Sequence, residues 1–438
     1  MAGIFKAYDV RGTFPEQINE DAAYKIGRAV AEQFKPNKVL IARDMRLSSP
    51  VISIALIKGF VDSGVNVIDA GLSTTPLFYC IMGKHDYDFG IMTTASHNPP
   101  AYNGMKFMKR GNISINHETG LNKVEELFKK NKFSKEKEGS IVKKDFRHEY
   151  SEYVLSFAKN IPKKNIVVDA GNGMAGYIYS EIFKKLGVNA VKLNFELDGR
   201  FPNHESNPLL PGVTDQLKHA VVKNKADFGV IFDGDADRIF FVDEKGRDVL
   251  GSIIGAMIAE SFVKEKLEAI VHDATSSRII RDKVGKKGKV IRAKTGYSYI
   301  SKALIENNAI FGAEVSGHYS YRDNFFCDSG IISLLKVLEI VGNRKFSDVL
   351  KDYERYYNSG ELNFEVEDKE KVMKKIASHF KDAEINYLDG VTVEYPDFWF
   401  IVRPSNTEPL LRFRLEADSE ALMKEKVEEI KKLINNSS

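Results

Sequence analysis

Short apolar runs of strand length recur along the chain, and an amphipathic stretch of helix length follows several of them. Three runs of this kind lie at residues 38–42, 165–169 and 268–272. The amphipathic stretches after them cover residues 51–62, 175–186 and 276–284, and further short apolar runs come next at 65–69, 188–193 and 290–291. Strand, helix, strand is the βαβ pattern, which favours a largely parallel sheet with helices on both faces.

A Phe-Gly pair marks a further strand in each of these three regions. The pairs are Phe89-Gly90, Phe228-Gly229 and Phe311-Gly312. Seven residues beyond each phenylalanine stand Ser96, Asp235 and His318, respectively. A repeat of this length indicates duplicated domains rather than a solenoid. We therefore predict three similar domains, each with a strand that ends in a loop of chemically useful residues.

Changes in composition predict the domain boundaries. Residues 129–144 are rich in lysine and glutamate, a turn follows at 243–246, and the pattern changes again near 353–361. We predict domains at residues 1–145, 146–246, 247–357 and 358–438. In the last domain, predicted strands at 362–366, 391–393, 398–402 and 411–415 combine with helices at 369–380 and 420–434, which is typical of a small α+β domain.

Composition narrows the classes of protein that fit. A chain of 438 residues with 43% hydrophobic and 29% charged residues is typical of a soluble globular protein with two to four domains. The 64 basic residues nearly balance the 61 acidic ones, which argues against a dedicated nucleic-acid binder. Two distant cysteines form neither a disulfide framework nor a zinc motif, and they favour a cytoplasmic location. Neither a signal peptide nor an apolar run long enough to span a membrane is expected.

Three aspartates follow the apolar run 228–232 at alternate positions. They are Asp233, Asp235 and Asp237, and Arg238 comes directly after them. In an extended chain alternate side chains share a face, so the three carboxylates would point the same way and repel one another. A hard divalent cation relieves that repulsion, and oxygen ligands between small spacers suit Mg²⁺. The alternative for such a run is a solvated acidic turn.

A polar loop, residues 93–100, follows the strand that begins at Phe89. It contains Ser96 and His97, and Lys106 comes ten residues after the serine. A serine hydroxyl is a weak nucleophile unless a base, a metal or an attached phosphoryl group assists it. Lys106 could serve as a charge clamp or as a proton donor. Taken alone, the loop also fits an ordinary turn ended by proline.

Six segments together resemble the signatures of the α-D-phosphohexomutase superfamily, and they occur in the family's order from residue 8 to residue 409. These segments are 8–12 (YDVRG), 94–99 with 103–106 (TASHNP, NGMK), 198–204 (DGRFPNH), 233–238 (DGDADR), 314–318 (EVSGH) and 403–409 (RPSNTEP). The resemblance implies an α/β fold of three tandem similar mixed α/β domains plus a smaller C-terminal α+β domain around a central cleft. It also implies interconversion of hexose 1-phosphate and hexose 6-phosphate.

The same resemblance implies a role for each site residue. Ser96 would carry a phosphoryl group, transfer it to the sugar to form a hexose 1,6-bisphosphate, and take the other phosphoryl group back. The metal ligands would be Ser96, Asp233, Asp235 and Asp237, binding Mg²⁺. Lys106 would be the principal acid/base with His318 as second candidate, His97 would orient the loop, and Arg11 and Arg238 would stabilise the phosphoryl group. The substrate-binding residues would be Glu314, Ser316, His318, Arg403, Ser405, Asn406 and Thr407.

The segment 314–318 lies closer to the phosphomannomutase/phosphoglucomutase form than to the phosphoglucosamine mutase form. Tyr297, however, stands where that group usually carries histidine, and residues 273–277 lack a basic residue that is common there. The candidates to substitute for that residue are Lys294 and Arg278. The alternatives are a phosphoglucosamine mutase, a metal-dependent sugar phosphatase and a non-catalytic sugar-phosphate-binding relative. We expect hexose phosphates as substrates, a monomer or homodimer, and closure of the last domain by a hinge near residues 353–361.

Overall fold

Four β-sheets, one after another along the chain, organise the protein. The structure is a computed structural model that describes residues 3–134, 137–264, 266–405 and 410–435. Three of the sheets mix parallel and antiparallel strands, whereas the fourth is antiparallel. Across these residues, no helix combines the length and the apolar character needed to cross a bilayer.

The first sheet has seven strands in the order β1-β5-β4-β2-β3-β7, with β6 paired to β5. The strands are β1 (Val10–Thr13), β2 (Lys38–Arg43), β3 (Asn66–Leu72), β4 (Phe89–Thr93), β5 (Tyr102–Lys109), β6 (Ile113–Ser114) and β7 (Ile141–Lys143). The helices of this region are α1 (Glu20–Phe34), α2 (Ser49–Val61), α3 (Thr75–Lys84) and α4 (Asn122–Lys130). Strands β3, β2 and β4 are parallel, and β5 runs antiparallel to β4.

The second and third sheets repeat this arrangement with five strands each. The second contains β8 (Asn165–Asp169), β9 (Asn189–Leu193), β10 (Phe228–Phe232), β11 (Ile239–Asp243) and β12 (Asp248–Val249), in the order β12-β11-β10-β8-β9. Its helices are α5 (Arg147–Leu155), α6 (Met174–Ile178), α7 (Ser180–Leu186) and α8 (Asp215–Lys223). The third contains β13 (Glu268–Asp273), β14 (Gly288–Ala293), β15 (Phe311–Ala313), β16 (Tyr319–Tyr321) and β17 (Cys327–Asp328), in the order β14-β13-β15-β16-β17. Its helices are α9 (Gly251–Val263), α10 (Ile279–Val284), α11 (Tyr297–Asn307), α12 (Gly330–Val341) and α13 (Phe346–Leu350).

The fourth sheet has six strands and is antiparallel throughout. Its strands are β18 (Tyr357–Asn358), β19 (Leu362–Glu365), β20 (Glu384–Asn386), β21 (Val391–Glu394), β22 (Phe398–Pro404) and β23 (Leu410–Ala417). The helices α14 (Lys369–His379) and α15 (Glu420–Asn435) pack on it. The predicted fold, three similar mixed α/β domains followed by a smaller α+β domain, is confirmed.

The Phe-Gly repeat has a packing reason. Strands β4, β10 and β15 each begin at the repeated phenylalanine, which is fully buried. A methyl group on the following glycine would lie within 2.8 Å of side chains from the helix that precedes the strand, α3, α8 or α11. Any larger residue would place its Cβ in overlap with these side-chain atoms, so only glycine lets the helix pack this closely on the strand. The repeat therefore marks the same helix-on-strand contact three times.

Some predicted elements differ from the structure in detail. The predicted helix 175–186 is divided at Tyr179 into α6 and α7, and the predicted helix 276–284 begins only at Ile279. Residues 275–278 instead form a polar turn in which Thr275 and Ser276 donate to the carboxylate of Asp273. Serine and threonine favour such local bonds over the first turn of a helix.

Candidate active site

The loops that follow β4, β10 and β15 meet at one place. Ser96, from the first loop, donates from its Oγ to Asp233 Oδ2 of the second loop at 3.0 Å. The second and third loops are joined through their backbones, since Arg238 and His318 form an isolated β-bridge and Ile239 N donates to Gly317 O at 3.1 Å. The three positions that the repeat singled out are therefore brought together in one buried cluster.

Ser96 is held in an unusual local conformation. Its φ is +50°, in the left-handed region that residues with a Cβ seldom occupy, and its backbone N–H donates to Thr94 Oγ1 at 2.9 Å. The hydroxyl also lies 3.2 Å from His97 Nδ1. Burial, followed by the nearby charges of Arg238 and Arg11, holds the pKa of His97 well below its usual range. His97 thus lies directly beside the Ser96 hydroxyl, and the role expected for it, orienting the loop, stays a prediction.

The three aspartates converge by a turn, and the extended geometry expected for them is wrong. Residues 234–237 form a turn and bend directly after β10, with Ala236 at φ +63°. One oxygen from each of Asp233, Asp235 and Asp237 lies within 4.8 Å of the others, and all three residues are buried. A turn places side chains on one side as effectively as strand alternation does, so the predicted cluster exists although the reason given for it does not hold.

The residues present fit a hard divalent cation. All the candidate donors are carboxylate oxygens, and Asp235 Oδ1 is buried without a hydrogen-bond partner in the described part of the chain. Burial, and then the neighbouring carboxylates of Asp237 and Asp235, raise the pKa of Asp233 well above its usual range. Such mutual repulsion is what a bound cation would relieve.

Lys106, on β5, supplies a cation to the same cluster. Its Nζ donates to Asp235 Oδ2 at 2.9 Å and also to Asp237 Oδ2. Burial alone would lower the pKa of Lys106, but Asp235 and Asp237 outweigh it and raise that pKa well above its usual range. Asp235 Oδ2 further accepts from Thr75 Oγ1 at 2.5 Å. Lys106 therefore binds two of the three carboxylates.

The third loop adds a histidine between acidic groups. His318 Nδ1 lies 2.9 Å from Glu314 Oε2, and His318 Nε2 lies 3.5 Å from Asp237 Oδ1. Burial and Arg238 would lower the pKa of His318, but Asp237 and Glu314 outweigh them and raise it to about 10. Arg238 Nε also points at His318 Nε2 from 3.2 Å, so His318 lies between a guanidinium and two carboxylates.

Glu314 and Ser316, two of the residues expected to bind substrate, contact other groups of the protein. Glu314 Oε1 accepts from Gly296 N at 2.8 Å, and its other oxygen faces His318. Ser316 Oγ lies 3.0 Å from His318 Nδ1 and is partly exposed. A sugar hydroxyl would therefore have to share Glu314 with these groups or replace one of them.

Arg11 reaches the cluster from the first strand. Its guanidinium binds Asp9 Oδ2 at 2.6 Å and donates to Asn98 Oδ1 beside the Ser96 loop. Tyr297 also lies here, with its ring centroid 5.6 Å from Lys106 Nζ and its hydroxyl donating to Tyr8 O at 3.3 Å. The tyrosine thus stands at the contact between the first and third domains.

Two of the expected phosphate-binding residues, Arg403 and Ser405, lie within or directly after a strand of the fourth sheet. Arg403 is a buried residue of β22, and Ser405 follows that strand. Asn406 and Thr407 lie outside the described residues. Arg278, considered as a substitute phosphate ligand in the third domain, is committed elsewhere: its guanidinium donates to the carbonyl oxygens of Tyr395, Pro396 and Phe398. The suggestion that Arg278 compensates for the missing basic residue is therefore not favoured.

Several residues of the cluster were missed from the sequence. Asp328 is buried beside Asp237 and His318, and burial followed by the charge of Asp237 raises its pKa to about 7. The others, Asp9, Asp44, Arg46 and Thr75, support residues that were found. Asp44 and Arg46 follow β2 as Ser96 follows β4, so their position after a buried strand could have identified them as candidates. The local sequence pattern does not show, however, which of these loops contact one another.

Four family models match successive parts of this chain. They are the phosphoglucomutase/phosphomannomutase alpha/beta/alpha domain I at residues 2–135, domain II at 148–246, domain III at 250–356, and the C-terminal domain at 361–433. Together they cover most of the sequence in the order in which the four sheets occur.

Curated proteins and solved structures of similar sequence agree with these matches. A phosphomannomutase of Methanocaldococcus jannaschii is 38% identical over 442 residues, which cover 98% of this chain and 97% of that protein. A phosphomannomutase of Escherichia coli strain K12 is 36% identical over 449 residues, with 98% of each chain covered. The crystal structure of a phosphoglucomutase/phosphomannomutase family protein from Burkholderia thailandensis superposes with a TM-score of 0.92 at 30% identity, covering 99% of this chain and 97% of that one.

Proposed function

Since this chain belongs to the phosphoglucomutase/phosphomannomutase family, and is an isomerase that moves a phosphoryl group within a hexose phosphate, we propose that Ser96 carries that group. The observation that carries the proposal is the 3.0 Å hydrogen bond from Ser96 Oγ to Asp233, inside a cluster of three aspartates and Lys106. A nucleophile beside convergent anions and cations is suited to phosphoryl transfer, in which positioning and charge neutralisation supply most of the catalysis.

Asp233, Asp235 and Asp237 would hold a Mg²⁺ ion together with a phosphate oxygen on Ser96. When bound, the ion supplies neutralisation of the negative charge on the transferring group. The chain's own cations add to this. Arg11 donates to Asn98 of the Ser96 loop, and Arg238 Nε lies 3.8 Å from Asp233 Oδ2, the oxygen that accepts from Ser96, so a phosphoryl group on Ser96 would lie near both guanidinium groups.

The reaction proceeds in two half-reactions that balance. In the first, a sugar hydroxyl oxygen bonds to phosphorus, the bond between Ser96 Oγ and phosphorus breaks, and one proton passes in net from the hydroxyl to Ser96 Oγ. The hexose 1,6-bisphosphate then turns over and returns its other phosphoryl group to Ser96 by the reverse steps. We assign the transfer of this proton to Lys106 Nζ, and His318 is the second candidate.

Substrate binding is assigned to the third and fourth domains. Glu314, Ser316 and His318 lie together at the end of β15, where they can contact sugar hydroxyls. Arg403, Ser405, Asn406 and Thr407 would hold the phosphate that is not reacting, because a guanidinium beside hydroxyl and amide groups binds phosphate oxygens. Hexose 1,6-bisphosphate would also serve as the activator that phosphorylates Ser96.

The substrates that we propose are mannose and glucose phosphates, since the names of the curated relatives specify phosphomannomutases. We further propose a cytoplasmic monomer or homodimer. The unpaired state of the buried Cys80 and Cys327 supports a reducing compartment. Light scattering of the purified protein would decide between the two assembly states.

The test is phosphorus NMR on the purified protein with Mg²⁺ and a trace of glucose 1,6-bisphosphate. Mannose, glucose and glucosamine 1-phosphates are supplied together, so that their relative rates identify the preferred sugar. We expect hexose 6-phosphates to appear with the wild-type protein. Ser96→Ala should abolish them, and Ser261→Ala should not, because Ser261 lies on α9 and its hydroxyl donates to Ile258 O of the same helix.

Each alternative predicts a different spectrum. Inorganic phosphate without hexose 6-phosphate would support a sugar phosphatase, and glucosamine 6-phosphate as the fastest product would support a phosphoglucosamine mutase. An unchanged spectrum would mean a sugar-phosphate-binding protein without turnover. Any of these three results would overturn the proposal.

A further inference from the structure

Arg46 is fully buried, and its guanidinium is devoted to the loop that contains Ser96. One terminal nitrogen donates to Pro99 O at 2.7 Å and to Tyr102 O at 3.0 Å. The other donates to Ser96 O at 2.9 Å and to Asn98 O. Four carbonyl groups of residues 96–102 thus point at one cation that lies some fifty residues away in sequence.

Asp44 holds Arg46 in place from within its own loop. Its Oδ2 lies 3.3 Å from Arg46 Nε, and its Oδ1 accepts from Arg46 N at 3.0 Å. Asp44 also accepts from the hydroxyl of Ser49 at the start of α2. The arginine is therefore fixed relative to the first sheet before it contacts the Ser96 loop.

Residues of the second domain pack against Arg46 and the Ser96 loop. The ring of Phe201 lies 5.2 Å from Arg46 Cζ, and Ser206 Oγ donates to Asn98 O at 3.1 Å. A methyl group on Gly234, in the aspartate turn, would lie 2.6 Å from Ser96 O. The peptide after Ser96 is consequently clamped between Arg46 and the turn that carries the aspartates.

This clamp explains how Ser96 keeps its left-handed backbone. A residue with a Cβ adopts positive φ only where the surroundings impose it, at a cost of the order of 1 kcal/mol. Holding the Ser96 carbonyl toward Arg46 fixes the rotation of that peptide, and with it the direction of the Ser96 side chain toward Asp233. A buried charge is not needed for stability as such, because an apolar residue of similar volume often stabilises a core equally well.

We propose that Arg46 is a positioning residue for phosphoryl transfer, which keeps Ser96 Oγ directed at the three aspartates by binding four carbonyl groups of the Ser96 loop. The inference rests on the proposed function, in which Ser96 carries the phosphoryl group. A guanidinium is required because its planar fork donates in several fixed directions at once, whereas a lysine ammonium cannot match that geometry.

The experiment combines truncation with chemical rescue. Arg46→Ala leaves a space that free guanidinium can enter. We expect kcat to fall about 100-fold, since a displacement of about 1 Å at a reacting group has an effect of that size, while KM changes less than about 3-fold. Guanidinium at about 20 mM, far below denaturing concentrations, should raise the kcat of this variant about 10-fold and leave the wild-type value unchanged.

Arg28→Ala is the matched control. Arg28 is also a buried arginine of the first domain, but it donates to Tyr24 Oη at 3.0 Å and to Ser134 O, away from the Ser96 loop. We expect this variant to lose stability but to keep the wild-type kcat, with no response to guanidinium. An Arg46→Ala protein that is folded and has the wild-type kcat, or whose lost activity guanidinium does not restore, would overturn the inference.

Arg46→Lys keeps the charge and the long side chain, so it tests the idea even where Arg46→Ala does not fold. We expect its kcat to fall about 10-fold at a similar melting temperature. A wild-type kcat in Arg46→Lys would overturn the inference. Failure of the proposed function looks different, because the wild-type protein itself would then give neither a phosphoserine signal nor hexose 6-phosphate in phosphorus NMR.

Discussion

Two buried arginines, Arg46 and Arg278, bind peptide carbonyl groups in different parts of the molecule. Each follows the first long strand of its repeat, β2 for Arg46 and β13 for Arg278. Arg46 binds a loop of its own domain, whereas Arg278 crosses to the fourth sheet and donates to Phe398 O at 3.0 Å and Pro396 O at 3.2 Å. The backbone N–H of Arg278 also donates to Glu416 Oε1, which accepts from Trp399 as well.

The different partners of Arg46 and Arg278 indicate different roles for the two arginines. Arg46 binds the loop that contains Ser96, the residue proposed to carry the phosphoryl group, and small displacements of that residue would affect the chemical step. Arg278 fixes one domain against another through the strand β22, which carries Arg403 five residues beyond Phe398. Substitutions around Ser96 and the three aspartates should therefore lower kcat. Substitutions at the contact between the third and fourth domains should mainly raise KM. The following variants test that division, in order of decreasing effect.

Lys106→Met removes the cation that binds two of the aspartates. We expect kcat to fall at least about 1,000-fold, because the proposed proton carrier is lost and Asp235 and Asp237 lose the cation that binds them. Lys109→Met, at the exposed end of the same strand β5, is the control and should keep the wild-type rate. A coupled assay of glucose 1-phosphate conversion measures both. A fall of less than about 10-fold in Lys106→Met would contradict its assignment as the principal acid/base.

Arg278→Ala removes the bonds between the third and fourth domains. We expect KM for the sugar phosphate to rise about 10-fold with kcat within about 3-fold. The melting temperature should fall as well, since three carbonyl groups lose a charged donor, at a cost of about 1–3 kcal/mol each if they stay buried. Arg281→Ala is the control, because Arg281 is exposed and pairs with Glu394 at the same contact. If kcat fell instead of KM rising, the two arginines would not differ in the way inferred.

Tyr297→Phe removes only the hydroxyl that donates to Tyr8 O. The aromatic ring beside Lys106 Nζ remains, so we expect kcat to change less than about 3-fold, in line with the loss of one partly buried neutral hydrogen bond. Tyr297→Ala, which also removes the ring, should lower kcat about 10-fold. If both variants lowered kcat by the same factor, the hydroxyl rather than the ring would account for the effect of Tyr297. Steady-state kinetics with both sugar 1-phosphates make the comparison.

His204→Gln tests the packing of the second-domain loop that covers Arg46. Burial would lower the pKa of His204, but the hydrogen bond and charge of Asp169 outweigh it and raise that pKa. The contribution to stability is thus fully present below the unfolded pKa of about 6.5 and is lost as the pH rises through the higher folded pKa. We expect His204→Gln to be less stable than wild type by about 1 kcal/mol at pH 5.5 and by less at pH 9. Thermal unfolding at the two pH values measures this, and a larger deficit at pH 9 would reverse the predicted sign.

The local pattern predicted the repeated strands because each one is a buried apolar run ended by polar residues. The strand 165–169 has the predicted bounds, and 38–42 and 268–272 are each one residue short of β2 and β13. The cluster of Ser96, Lys106 and the three aspartates was also predicted by residue, although from motif resemblance more than from physics. Spacing alone did not show that residues 234–237 turn rather than extend, since small residues allow either conformation.

The sequence by itself determined the number of repeats, the class of each domain and which loops contain reactive side chains. These three properties depend on the local periodicity of apolar and polar residues, which is visible in the sequence. Only the tertiary structure decided that Arg46 serves the Ser96 loop while Arg278 serves the fourth sheet, and that Glu314 already binds Gly296 N. A buried charge takes its partners from wherever the fold brings carbonyl and carboxylate groups within hydrogen-bond distance, and such long-range pairing leaves no period along the chain.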